Sequence, residues 1–125
     1  SSDASYGYAT VEMDAPTIYS IFGNGDRMSV SVKRPKMPED REGYYYLEIQ
    51  SSASYSGTYE SEGEFNFYEG ETSHEQIGSS TVDNYVIYFT PSYAGQSRYF
   101  KFRWVFKGGG RNEKGKFNTP QSVSF

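Results

Sequence analysis

The stretch Arg98–Phe106, RYFKFRWVF, decides the fold. Phe100, Phe102, Trp104 and Phe106 alternate with Lys101, Arg103 and Val105, a period of two that a β-strand turns into two faces. One face is aromatic and the other is largely basic. Four large rings pointing the same way need a second apolar layer to cover them. A chain of 125 residues is long enough to supply one in a single domain.

The same periodicity recurs on both sides of that strand. Over Arg27–Lys33, Met28, Val30 and Val32 oppose Ser29, Ser31 and Lys33. Over Tyr44–Gln50, Tyr45, Leu47 and Ile49 oppose Tyr46, Glu48 and Gln50; over Val82–Thr90, Tyr85, Ile87 and Phe89 oppose Val86 and Tyr88. Thr17–Phe22 reads as a further strand, with Ile18, Ser20 and Phe22 on one face. It is joined to the next strand by the turn Gly23-Asn24-Gly25-Asp26, whose residues tolerate positive φ. Pro35, Pro38 and the charged run Glu39–Glu42 form a loop. The acidic segment Thr58–Gly78, with Phe65, Phe67 and Tyr68, holds one or two short edge strands. Gly108–Gly110 ends the aromatic strand, a basic loop follows, and Phe117–Phe125 closes the chain with Val123 and Phe125 in phase. The expectation is an all-β, antiparallel sandwich of about seven strands.

Composition limits the function classes. Hydrophobic content is only 35%, but aromatics reach 18%, so a few large rings can build the core. The net charge of -4 opposes a nucleic-acid partner. Without cysteine there is no disulfide framework, thiolate metal site or cysteine nucleophile. No apolar run is long enough to span a membrane and none has the pattern of a signal peptide; Ser1-Ser2-Asp3 reads as a processed or trimmed end. Absence of cysteine is compatible with a bacterial or phage extracellular protein, where a stable sandwich needs no disulfide, and an extracellular or cell-surface location is the expectation.

Four segments, in order, carry a family resemblance: Pro16–Pro35 (PTIYSIFGNGDRMSVSVKRP), Tyr46–Ser52 (YLEIQSS), Tyr93–Gly110 (YAGQSRYFKFRWVFKGGG) and Phe117–Phe125 (FNTPQSVSF). Together they resemble a fibronectin type III domain of the bacterial kind over residues 16–125. The resemblance implies a seven-stranded fibronectin type III/immunoglobulin-like sandwich. Val32 stands where that family carries a core tryptophan, and Trp104 is expected to fill the volume from across the sandwich. Arg98 stands at the position of the corner tyrosine. Residues 1–15 form an extended N-terminal arm or the tail of a preceding module. Gly7-Tyr8-Ala9-Thr10-Val11-Glu12-Met13 echoes the chain's own closing segment, Gly115–Phe125.

Candidate chemistry is sparse. Gly110–Lys116 fits G-x-x-x-x-G-K, but Phe117 follows in place of Ser or Thr and a strand follows in place of a helix. It therefore reads as a basic hairpin loop rather than a phosphate cradle. Lys107, Arg111, Lys114 and Lys116 would present that loop to anionic partners, against the single acid Glu113. Glu62/Glu64 and Glu69/Glu71 are close carboxylates without a facing pair, so an acidic, solvated edge is expected rather than a glycosidase cleft. Calcium would need an Asp-rich loop that is missing. The lone His74 has no second soft ligand for zinc, and Ser73 or Ser92 with His74 and Asp83 lacks a nucleophile elbow. Tyr44, Tyr46, Tyr55, Tyr59, Tyr68 and Tyr88 fall on outward phases or loops. Such rings either stack on sugars and proteins or stiffen the sheet through cross-strand pairs.

The expectation is a non-catalytic extracellular β-sandwich module. It would act in surface adhesion or as a repeat or subunit of an adhesin, filament or virion appendage. It would contact neighbouring modules or copies of itself through sheet edges and residues 1–15. The alternative is a carbohydrate-binding module of a secreted glycoside hydrolase, with Tyr44 and Tyr46 as platform. No cofactor, metal, nucleic acid or catalytic residue is expected.

Overall fold

The computed structural model describes residues 14–35, 43–66, 71–77 and 80–125, with side chains for all of these but 71–77 and 80–83. Among the described residues there are nine strands: β1 (Ile18–Asn24), β2 (Arg27–Lys33), β3 (Tyr44–Ser52), β4 (Glu60–Asn66), β5 (Glu71–Ile77), β6 (Ser80–Phe89), β7 (Arg98–Gly108), β8 (Arg111–Lys114) and β9 (Gln121–Val123). They form two antiparallel sheets. One has the order β1-β2-β6-β5; the other has the order β4-β3-β7-β8, with β9 also on β7. Residues 1–13 of the arm expected over 1–15, the charged run at 39–42, and Phe67, Tyr68 and Glu69 lie outside the described residues.

Alternation places the core where periodicity put it. Met28, Val30 and Val32 of β2 and Tyr85, Ile87 and Phe89 of β6 face Tyr45, Leu47 and Ile49 of β3 and Phe100, Phe102, Trp104 and Phe106 of β7. Leu47 pairs with Trp104 and Tyr45 with Phe106. Tyr45 meets both rings edge-on, at 5.6 Å from Trp104 and 5.1 Å from Phe106, the offset geometry that aromatic quadrupoles favour. Trp104 and Val32 are both fully enclosed in this one core.

Two bulges change the reading of the edges. Ile18 pairs with Val32 and Ser20 with Ser31, so Tyr19 is an extra residue in β1. An extra residue flips the phase that follows it. Ile18 and Ile21 thus both pack on the core, while Phe22 is 69% exposed rather than sharing a face with Ile18. In β4, Ile49 pairs with Gly63 and Gln50 with Ser61, which leaves Glu62 as the extra residue.

The end of the chain is more regular at first, and more broken later, than a basic loop followed by one strand. Gly108, Gly109 and Gly110 have φ of 113°, 58° and 80°. Residues with a Cβ rarely adopt three such angles in a row, and this turn folds β8 straight back on β7. The chain then leaves the ladder and returns as β9 on the same side of β7. Asn118 bridges the gap: its N–H donates to the Phe102 carbonyl at 3.0 Å, and its side-chain Oδ1 accepts from the Phe102 N–H at 2.9 Å.

Candidate functional site

The outer face of the β4-β3-β7-β8 sheet gathers most of the residues singled out from the sequence. Tyr44 pairs with Lys107, which pairs with Asn112; Tyr46 pairs with Val105, which pairs with Lys114. Gly43 sets the start of β3. Its φ is 136°, and a Cβ there would lie 2.5 Å from the Lys107 carbonyl oxygen and 2.9 Å from the Phe106 ring. Tyr44 stands exposed beside it, and Tyr46 is half-buried with the Lys107 ammonium 5.4 Å from its ring centre.

The charges on this face are largely matched within the sheet. Glu48 and Glu64 sit directly opposite each other on β3 and β4, an unfavourable like-charge pair by itself. Cations from β7 resolve it. Arg103 Nε donates to Glu48 Oε1 at 2.8 Å, and Lys107 bonds Glu64. Burial pushes the Glu48 carboxyl up, but the Arg103 and Gln50 hydrogen bonds and the charges of Arg103 and Lys114 outweigh it and hold the group below its usual range. The hydrogen bond to Glu64 raises Lys107 against a smaller opposing effect of desolvation. Phe117 lies over both Lys101 and Arg103, at 4.2 and 4.4 Å, and Tyr59 covers Lys101 from another side at 4.3 Å. The basic face of β7 is therefore sheathed by rings and carboxylates.

The remaining predicted cations separate. Lys114 and Lys116 are exposed. Arg111, expected at the loop tip, is instead 7% exposed: it faces the inward phase of β8, with its guanidinium 5.5 Å from the Phe106 ring and 3.7 Å from Glu113. The hairpin register makes it the partner of Gly108, and that turns it under the sheet.

The acidic segment is also divided. The bulge puts Glu62 and Glu64 into different surroundings. Glu62 accepts from Ser51 Oγ at 2.6 Å and from the Ser92 amide and hydroxyl at 2.9 and 3.0 Å. Arg98 joins this cluster through Ser51 Oγ at 3.2 Å and Glu60 at 3.4 Å, with its guanidinium 4.0 Å over Tyr93. The buried Arg98 thus ties the β6–β7 connection to β3 and β4. Ser92 is committed to Glu62. His74 lies in β5, paired through the backbone with Asp83. Among the described residues no group of acidic, histidine or cysteine side chains has the arrangement of a metal site.

Tyr55 and Tyr88 are exposed, while Tyr59 is half-buried and donates its hydroxyl to the Tyr55 carbonyl at 2.7 Å. Phe22 is the exposed aromatic that alternation alone misplaced. Its signal was the spacing of Ile18 and Ile21, three apart in a strand where core positions should be two apart. No protein-family model, curated protein or solved structure matches this chain.

Proposed function

We propose that this chain is a non-catalytic β-sandwich module of the fibronectin type III or immunoglobulin-like kind. It acts at the cell surface or outside the cell, in adhesion or as a subunit of a larger assembly. One observation carries the reading. The polar clusters on the second sheet are internally paired, whereas Phe22, Tyr44, Tyr55, Tyr88 and Tyr93 stay exposed. Large exposed rings on open surfaces fit a contact surface better than an enclosed reaction cleft. The strand orders β1-β2-β6 and β4-β3-β7-β8 support the family reading, because consecutive strands cross between layers as in a Greek-key sandwich.

Light scattering coupled to size exclusion, with electron microscopy, tests the assembly reading. Oligomers that are lost when residues 1–15 are deleted support it. A strictly monomeric chain that also fails to adhere to cells or glycans leaves only a spacer. The row Tyr44, Lys107 and Asn112 favours a second reading, a carbohydrate-binding module. Retention on insoluble polysaccharide, lost in Tyr44→Ala or Tyr46→Ala, is its test.

A further inference from the structure

The other sheet carries a feature that none of these residues explains. Phe22, Ser29 and Tyr88 stand in one row across β1, β2 and β6 and share its outer face. Phe22 is 69% exposed and Tyr88 is 50% exposed, with a small serine between them. Strands two apart are separated by roughly 10 Å. Carbon–carbon contact takes about 4 Å on each side of an inserted group. Two aromatic walls over a serine floor thus leave a slot for one saturated ring, taken by its C–H faces. The concavity of about 460 Å³ is lined by these three with Gly23, Asn24, Arg27 and Met28. An apolar site with a few convergent polar groups is the usual form of a small-ligand site.

Arg27 supplies the charge. Arg34 stacks on Tyr85, Arg98 and Arg103 pair with glutamates, and Arg111 is enclosed beside Glu113. Arg27, one row beyond Phe22 and Ser29 and opposite Asn24, has no ion pair or ring contact among the described residues, and Asp26 beside it in the turn makes none with it. A guanidinium at the end of an aromatic slot suits a carboxylate, which it can hold through two parallel hydrogen bonds.

We propose that this slot binds a carboxylate-bearing pyranose, an acidic sugar unit of a glycan chain. The ring sits between Phe22 and Tyr88, Ser29 and Asn24 meet its hydroxyls, and Arg27 takes the carboxylate. The proposal rests on the adhesion reading and names its ligand class. The chain's net charge of -4 repels a polyanion at long range, so recognition comes from local contact and single-site affinity is weak.

The test is a nitrogen-15 amide titration with trigalacturonate and, as neutral counterpart, galactotriose. Shifts confined to residues 22–24, 27–29 and 87–89 are expected, with the acid preferred. Phe22→Ala and Tyr88→Ala each weaken binding about tenfold or more, and Arg27→Gln removes about tenfold from the preference for the acid. Ser29→Leu, which fills the floor of the slot, abolishes binding while leaving the melting temperature near that of the parent. No shifts, shifts centred on Tyr44 and Tyr46, or equal response to both sugars would overturn the proposal. So would shifts that follow protein concentration without sugar, which would identify a second copy as the occupant. Oligomer formation is read separately by size, so failure here leaves the assembly reading standing.

Discussion

Asn118 offers a sharp test of how the interrupted edge is held. Phe102 is fully buried at the centre of β7, and its N–H donates to Asn118 Oδ1 at 2.9 Å. β8 and β9 flank this point without covering it, so neither pairs with Phe102. Asn118→Ala removes the acceptor. A buried donor left unsatisfied costs about 1–3 kcal/mol. Asn118 is half-buried, so water partly reaches the gap and the lower half, about 1–2 kcal/mol, is expected. For a domain of this size that lowers the melting temperature by roughly 3–8 °C. Asn118→Asp keeps the acceptor oxygen and should cost less than about 0.5 kcal/mol, because a carboxylate accepts at least as well. Urea unfolding gives the free energies, and hydrogen exchange reads the Phe102 amide directly. Slow exchange in the parent, fast exchange in Asn118→Ala and slow exchange in Asn118→Asp are expected. An alanine variant as stable and as protected as the parent refutes the bridge. So does an aspartate variant as weak as the alanine.

Trp104→Ala opens the centre of the core and should cost about 3–5 kcal/mol, read by denaturant midpoint. Gly43→Ala meets both a left-handed backbone angle and the Lys107 carbonyl, so a loss above about 2 kcal/mol is expected in the same assay. The Glu48 carboxyl is held below its ordinary value of 4.5, so its contribution is present above that pH and is lost as pH falls through the lower folded value. Glu48→Gln should flatten stability against pH over that acid window and leave the slope near neutrality unchanged; an unaltered acid limb would exclude the Arg103 pair as its source.

Much of this fold is legible along the chain. Alternation over 27–33, 44–50, 82–90 and 98–106 reports strand and inward phase together, because burial of one face of a pleated ribbon imposes a period of two on its own sequence. The family resemblance added a seven-stranded sandwich as an expectation; the described residues form two antiparallel, sandwich-like sheets, with nine strands rather than seven. What alternation could not report is which strand lies beside which, and where a ladder slips. Tyr19 and Glu62 become extra residues only when β2 and β3 fix the partner register. Those two slips put Phe22 into solvent and sent Glu62 to Ser92 rather than to a carboxylate pair. Arg98 and Arg111 look like surface cations in isolation, yet Ser51 and Glu60 from distant strands enclose Arg98 together with nearby Tyr93, and Phe106 from across the hairpin encloses Arg111 beside Glu113 of its own strand. The sequence alone determined which residues want a core, since that is a property of side chain and period. Only the tertiary structure decided which charges are matched and which rings remain outside, since both depend on neighbours brought together by pairing.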